Sequence, residues 1–497
     1  MRSTMHTTPQ IRGRLLAPAA EPLPVSVLGA TSQDRAWFGR LLTKGEILAD
    51  FGAIVGAVTS SYALYHFFHL GKQVYYSRFT VLEMAGVFAL LCVSMLDRNG
   101  AYRGDSSLLL VKETERILRV SSQAFLVTFC ISLLSSYLVS RWMITIAFLM
   151  VPLFLIVEKQ LLAGIVRALH ARGYGLRRVV IYGAGLTGRR IFSALARSPR
   201  LGLDPMAFAD DDPSLAGTTI FEASYSRRRC SAVVFEGLPS DAFLREHHVD
   251  MIVIAVPSIS REKFSAIATC AASAGAAISF VPHHFAPSDH WVDYVNLDGM
   301  LLASFEGPLS HSSYDSLKRS VDLVLGITLL VLASPLWLVL ALLIRVTSGG
   351  PVLFVHERVG QNGKRFKIYK FRTMHADAQP YAPSPEKPTD ARISPMGRFL
   401  RRTSLDEIPQ LLNVIKGEMS LVGPRPEMPF IVEQYTWLQR QRLIVKPGIT
   451  GLWQLSADRK FPIHENIEYD LYYIRNRKLF MDLAILLHTF IFATHGI

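Results

Sequence analysis

Residues 401–426 read RRTSLDEIPQLLNVIKGEMSLVGPRP, with the adjacent acids Asp406 and Glu407 near the start. Neighbouring side chains on a helix project about 100° apart, so two such carboxylates can divide two tasks: one attacks an electrophile, the other holds a metal ion. Arg401 and Arg402 precede the pair, and Arg425 follows it within Gly423-Pro424-Arg425-Pro426. Carboxylates ringed by arginines suit a phosphate-bearing ligand with a bridging Mg²⁺. A structural reading fits the same letters. Ser404-Leu405-Asp406-Glu407 matches a capping box with Ser404 as N-cap and Glu407 at N3, and Asp406 would then favour the helix dipole. Under that reading Pro409 falls where a helix needs its backbone N–H. A start nearer Asp406 places it in the tolerant first turn.

Outward from this centre, Lys370-Phe371-Arg372-Thr373-Met374 lies upstream and Lys446-Pro447-Gly448-Ile449-Thr450-Gly451-Leu452-Trp453-Gln454 downstream. Residues 356–360 and 366–372 read as the strands of a hairpin around Gln361-Asn362-Gly363-Lys364, and they carry Arg358, Lys370 and Arg372. Residues 380–388 form a proline-rich surface loop. Glu468, Asp470, Tyr472 and Tyr473 fall on a helix, and 480–492 is an apolar closing helix suited to a membrane interface.

Further upstream, 323–346 is apolar and long enough to span a bilayer, but Ser334-Pro335 interrupts it. Pro335 breaks helical bonding near mid-run, and the Ser334 hydroxyl can satisfy a freed carbonyl. The expectation is a re-entrant helix over 321–346, broken at Ser334 and Pro335, that enters and leaves on one side. A crossing would put Asp406 on the opposite side of the membrane from the α/β region described below. Lys318 and Arg319 mark its boundary, either meeting lipid phosphates or snorkelling as anchors.

Four other apolar runs, 47–68, 79–96, 117–139 and 142–157, each approach the roughly 20 residues of a spanning helix. The fourth is short unless it continues through 161–166. Arg40 and Lys44 precede the first run. Arg98, Arg103, Lys112, Arg116 and Arg119 lie between the second and third, and Lys159, Arg167, Arg172, Arg177 and Arg178 follow the fourth. The opposite loops carry only Lys72, Arg78 and Arg141, so both ends of the bundle face the cytoplasm. Residues 1–40 read as a loose tail without a cleaved signal.

Residues 177–190 then give a strand, the turn Gly183-Ala184-Gly185-Leu186-Thr187-Gly188, and a helix. A second strand over 206–209 ends at Asp210, about 20 residues beyond the glycines, which is the dinucleotide-binding layout. Phosphates are expected at the helix N-terminus and Asp210 near a ribose. Strands at 251–255 and 277–281 continue the α/β pattern. The glycines alone would also serve tight strand–helix packing.

The chain has 497 residues, 50% of them hydrophobic, and a net charge of +13. The Lys and Arg residues flank apolar runs and form no long basic block. A membrane surface and an anionic substrate therefore explain the charge, and nucleic acid does not. Cys92, Cys130, Cys230 and Cys270 form no CxxC pair, so no disulfide framework or zinc site is implied.

The motifs at 370–374, 401–426 and 446–454, in this order between about Lys318 and His488, resemble the bacterial sugar transferase family, the polyprenyl-phosphate glycosyl-1-phosphate transferases. The whole layout resembles its long members, of the undecaprenyl-phosphate glucose phosphotransferase type, which begin exopolysaccharide or O-antigen synthesis. The resemblance implies a multi-pass protein of the bacterial inner membrane with its catalytic domain in the cytoplasm. Its substrates would be a UDP-sugar, with glucose favoured, and undecaprenyl phosphate. The partners would be inner-membrane lipid and, as the layout admits, a second copy in a homodimer. It also implies that Asp406 is the nucleophile, that Glu407 supports Mg²⁺, and that Arg358, Lys370, Arg372 and Arg425 meet substrate phosphates. Family members often read Ser-Gly-Arg after the Trp-Gln; here the chain reads Ser456-Ala457-Asp458-Arg459.

The expected fold is a membrane protein of α and α/β class in four parts: a tail (1–40), four transmembrane helices (41–168), a Rossmann-like domain (169–307) and a mostly helical monotopic transferase domain (308–497). Two other functions compete. A membrane-anchored NAD-dependent nucleotide-sugar oxidoreductase or dehydratase would need a Tyr-x-x-x-Lys pair, and neither Tyr225 nor Tyr294 has the matching lysine. A non-enzymatic assembly platform would not need adjacent acids among arginines.

Overall fold

The computed structural model describes residues 32–102, 110–134, 140–172, 174–197, 202–222, 230–237, 240–256, 259–280, 291–297, 300–306, 312–348, 350–375, 390–456 and 467–494. The expected tail up to residue 31, the proline-rich loop 380–388 and the 457–459 departure lie outside them.

Four helices open the described chain: α1 (Ser32–Phe67), α2 (Arg78–Arg98), α3 (Leu110–Leu134) and α4 (Arg141–Ala171). The first begins inside the stretch expected as tail, and the fourth continues through 161–166. All four are long and apolar enough to cross a membrane. They pack on Ile54, Phe88, Phe125, Val151 and Leu155, while Leu82, Leu90, Leu126 and Leu149 point outward and exposed. That is the surface a bilayer would cover. At one end Lys159 pairs with Glu46 and Asp50, each at 2.8 Å, tying α4 to α1.

A doubly wound unit follows: β1 (Arg177–Tyr182), α5 (Leu186–Arg197), β2 (Leu203–Asp210), β3 (Thr219–Glu222), β4 (Cys230–Glu236), α6 (Asp241–Glu246), β5 (Met251–Ile254), α7 (Arg261–Ala274) and β6 (Ala277–Phe280). The strand order is β3-β4-β2-β1-β5-β6, with every pairing parallel except β3–β4. The sequence reading located β1, β2, β5 and β6 and missed β3 and β4. It also missed the antiparallel hairpin β7 (Trp291–Leu297) and β8 (Met300–Glu306).

The C-terminal body contains α8 (Ser312–Ser348), β9 (Leu353–Val359), β10 (Arg365–Phe371), α9 (Pro395–Arg402), a 3₁₀ turn over Leu405–Gln410, α10 (Leu411–Lys416), β11 (Ser420–Val422), α11 (Pro429–Glu433), α12 (Trp437–Arg440), β12 (Gly448–Thr450), α13 (Leu452–Leu455), α14 (Glu468–Asn476) and α15 (Leu479–Thr494). The expected hairpin is present, with Arg358 opposite Phe366 and Lys370 opposite Phe354.

The break expected at Ser334-Pro335 does not interrupt α8, which runs unbroken through Pro335. Pro335 has no N–H to give the Val331 carbonyl four residues back, and the Ser334 hydroxyl donates to that carbonyl at 2.7 Å. The lost bond is replaced, and the helix continues. Both arms of α8 rest on the same body. Leu325 and Leu330 join the cluster around Val414 and Leu421, and Leu340 and Ile344 pack with Phe371 and Leu400. Leu332 and Leu338 between them are each 73% exposed.

One seam joins the first and last bodies. Val111 and Leu118 of α3 join the cluster containing Met481, Ala484 and Ile485 of α15, and Thr114 Oγ1 lies 2.8 Å from His488 Nε2. The closing helix expected to lie in the interface is therefore covered along one face by α3, while Phe490 on it remains exposed.

Candidate active site

The strand β10 ends at Phe371, and Thr373 just beyond it is the surface on which α9 docks. Ser394 caps α9 by accepting from Gly397 N–H at 2.9 Å, with Pro395 in its first turn. A Cβ on Gly397 would collide with the Thr373 carbonyl, so only glycine permits this approach. The docking brings Arg401 Nε to Thr373 Oγ1 at 2.9 Å.

The chain then turns sharply. Ser404 adopts φ 55° and ψ 17°, the left-handed region, and makes no side-chain cap. The capping-box reading is therefore overturned: an N-cap needs extended backbone at this position. A non-glycine residue held here costs about 1–2 kcal/mol, and such strain collects at functional sites. It lifts the chain into the 3₁₀ turn that carries Asp406 and Glu407. Pro409 is buried inside that turn, and α10 begins directly after it. Asn413 on α10 is fully buried and clamps the hairpin, accepting from Tyr369 N–H at 3.2 Å and donating to the Lys367 carbonyl at 2.7 Å. Lys370, the next residue along the strand, is thereby held against Glu407.

The two acids have different surroundings. Glu407 Oε1 accepts from Lys370 Nζ at 2.7 Å and from Arg425 Nη2 at 3.4 Å. Burial favours the neutral form of Glu407, but these two cations outweigh it and hold the carboxyl below its ordinary range. Asp406 takes no hydrogen bond or ion pair among the described residues. Lys370, Arg401 and Arg425 act on it only through space, and burial, aided by the Glu407 charge, keeps its carboxyl above the usual aspartate value. One carboxylate is thus committed to its neighbours and the other is uncommitted.

Arg358 is half-buried beside Arg425 and Glu427; burial and the Arg425 charge lower its pKa. It sits about 13 Å along the hairpin from Lys370, given roughly 3.3 Å per residue, and its charge acts on Arg425 and Glu427. Arg372 lies past the end of β10, and among the described residues its side chain forms no hydrogen bond or ion pair with this group. Arg401, which faces Asp406, was noted in the sequence only as a neighbour. Its spacing, five residues before Asp406 and across a turn, gave no sign that the two would face each other.

Lys318 and Arg319 have intrachain partners. Lys318 Nζ pairs with Asp482 at 2.7 Å, and Arg319 donates to the Val414 and Ile415 carbonyls at 2.6 and 2.8 Å, capping the end of α10. Both residues are thus tied to the C-terminal body at the start of α8. In the α/β unit, Gly183 has φ 107° and a Cβ on Gly188 would meet the Gly183 carbonyl, so these two glycines serve the turn; Gly185 has open space. Asp210 does not stand free for a ribose: its Oδ2 accepts from Ala184 N–H at 2.6 Å, inside the glycine loop.

Among the described residues no group of three or more His, Cys, Asp or Glu could hold a metal ion. Two adjacent carboxylates, with Glu407 Oε2 outside the ion pairs, do fit Mg²⁺ in its usual manner, sharing the ion with substrate phosphates and water.

The bacterial sugar transferase family description matches residues 313–496, and a CoA-binding domain description matches 97–282. The undecaprenyl-phosphate galactose phosphotransferase of Salmonella typhimurium is 33% identical over 377 residues, covering 69% of this chain and 72% of that one. The UDP-glucose:undecaprenyl-phosphate glucose-1-phosphate transferase of Klebsiella pneumoniae is 32% identical, covering 66% and 69%. The exopolysaccharide production protein ExoY of Sinorhizobium fredii is 38% identical over 187 residues, covering 35% of this chain and 83% of that one.

Proposed function

The chain belongs to the bacterial sugar transferase family and is a UDP-sugar:undecaprenyl-phosphate sugar-1-phosphate transferase; from that premise we propose that Asp406 carries the hexose-1-phosphate as a covalent intermediate. An Asp406 carboxylate oxygen attacks the β-phosphorus of the UDP-sugar. The anhydride bond between that phosphorus and the bridging oxygen breaks, and UMP leaves with the electron pair. A phosphate oxygen of undecaprenyl phosphate then attacks the same phosphorus, the acyl-phosphate bond breaks, and Asp406 returns as a carboxylate. No proton has to move, because nucleophile and leaving group are both anions. Splitting one transfer into two lets a soluble and a lipid substrate use one site in turn.

The observation that carries this reading is the contrast between the acids. Asp406 is unpaired among the described residues and flanked by cations, while Glu407 is held by Lys370 and Arg425. Lys370, Arg401 and Arg425 would stabilise charge on the transferring group, with Arg358 beside Arg425. Glu407 would hold Mg²⁺, which would supply further charge neutralisation on the phosphates. Glucose is the donor we propose, with galactose, its C4 epimer, as the competitor. Relatives of both names match this chain.

The test uses UDP-glucose and UDP-galactose labelled in the sugar, Mg²⁺ and no lipid acceptor. The parent chain is expected to trap label and release UMP, hydroxylamine is expected to cleave the adduct, and the preferred donor is the one that labels faster. Asp406→Asn is expected to trap none. Glu407→Gln is expected to label slowly and to respond to higher Mg²⁺. Normal labelling of Asp406→Asn would place the nucleophile elsewhere.

A further inference from the structure

Arg425 owes its position to the backbone of Gly423-Pro424-Arg425-Pro426, and that backbone is held at several points. The Pro424 carbonyl accepts from Gly448 N–H at 2.9 Å, and the Glu427 carbonyl accepts from Val359 N–H at 3.0 Å. The carbonyl of Arg425 itself is held by a side chain: Arg442 Nη2 donates to it at 2.9 Å. The same guanidinium donates through Nη1 to Tyr435 Oη at 2.6 Å and pairs with Asp470 at 2.7 Å. Arg442 is 3% exposed and Asp470 2%.

A fully buried ion pair is a poor way to gain stability, because removing both charges from water costs as much as their attraction returns. Apolar side chains of similar volume would fill the same space. What they could not do is hydrogen-bond Tyr435 after α11 and the clamp loop after β11 from two nitrogens of one group while pairing with Asp470 on α14. The fork of a guanidinium does this and an ammonium does not.

We propose that Arg442, fixed by Asp470, is a positioning residue for Arg425: it anchors the Arg425 carbonyl and so sets the reach of the Arg425 guanidinium toward Glu407 and the donor diphosphate. This rests on the reading of Arg425 as a phosphate clamp. Arg442 is buried, and its link to the acids runs through the Arg425 backbone.

The experiment measures UMP release by the full-length chain with UDP-glucose, UDP-galactose and undecaprenyl phosphate. It compares Arg425→Met, the paired change Arg442→Met with Asp470→Leu, and all three changes together. The paired change leaves no buried charge alone, so its melting temperature is expected to stay near that of the parent. Its KM for the UDP-sugar is expected to rise about tenfold, with KM for undecaprenyl phosphate unchanged, because what is lost is donor binding. In the Arg425→Met background the same pair is expected to add less than about twofold, since two residues acting through one interaction are not additive. Arg442→Lys, which keeps the charge but loses the fork, is expected to show the same KM rise.

Additive losses, an unchanged donor KM in the paired variant, or full rescue by lysine would overturn the positioning role while leaving the clamp intact. If Arg425→Met leaves the donor KM unchanged, the clamp reading fails and this inference fails with it.

Discussion

At the scale of single residues, two carboxyl groups report their surroundings through pH. The covalent step needs Asp406 ionised, and burial raises its pKa against the pull of Lys370. Adduct formation in the labelling assay is therefore expected to increase with pH through a midpoint above the ordinary aspartate value of about 3.9. Lys370→Met removes the largest opposing charge, so the midpoint is expected to move further up; a downward move would mean that Lys370 does not act on Asp406. Asp470 is pushed up to about 6 by burial, with the Arg442 charge pulling the other way. A carboxyl whose folded pKa exceeds its unfolded one binds more protons when folded, so its contribution to stability is present at low pH and is lost as pH rises from about 4 to 6. The paired Arg442→Met, Asp470→Leu variant lacks that contribution. Its stability relative to the parent is expected to improve across this window and then level off, as followed by melting at several pH values.

At the scale of elements, α8 tests how a proline is accommodated inside an apolar helix. The Ser334 hydroxyl stands in for the amide that Pro335 lacks. Ser334→Ala leaves the Val331 carbonyl without that donor and is expected to lower stability by about 1–3 kcal/mol. In a Pro335→Ala background the new N–H serves the same carbonyl, and Ser334→Ala is expected to be nearly neutral. Additive effects in this cycle, read by melting of the purified chain, would show that the hydroxyl is not the replacement donor. The direction of α8 follows from packing. Arg319 caps α10 near one end, and Ile344 packs on Phe371 and Leu400 near the other. A straight crossing would draw one polar body through the bilayer, so both ends of α8 are expected on the cytoplasmic side. Cysteines placed at Ser316 and Gln361 should be equally shielded from an external reagent in intact cells, and labelling at Gln361 alone would indicate a crossing.

At the scale of the whole molecule, the site residues all lie after α8 begins, yet α15 is covered by α3 from the first body. A chain beginning at Ser312 is expected to retain sugar-phosphate transfer, because it contains Lys370, Arg401, Asp406, Glu407 and Arg425. It is also expected to melt lower than the full chain. It uncovers the α15 face against Val111 and Leu118 and loses the Thr114–His488 contact, and each apolar side chain returned to solvent costs on the order of 2 kcal/mol. Loss of transfer in a truncated chain that still melts cooperatively would show that the first two bodies serve the chemistry.

The sequence by itself determined what depends on local pattern. The apolar runs set the membrane helices, the glycine spacing after a strand set the α/β unit, and the motif order at 370–374, 401–426 and 446–454 set the family. These signals lie within a turn or two of chain, where periodicity and backbone freedom act. Tertiary structure decided what depends on convergence. Lys370 on a strand, Arg401 on a helix and Arg425 in a loop gather on Asp406 and Glu407, and strand parity alone could not show this. The same holds for Asp210 folding back onto its own loop and for Lys318 and Arg319 turning to intrachain partners: a half-buried charge takes the nearest partner that packing offers. Ser404 is the sharpest case. Its letters spell a helix cap, but the docking of Gly397 on Thr373 dictates the direction of the chain there. The left-handed turn that results separates the two acids into a paired and an unpaired carboxylate.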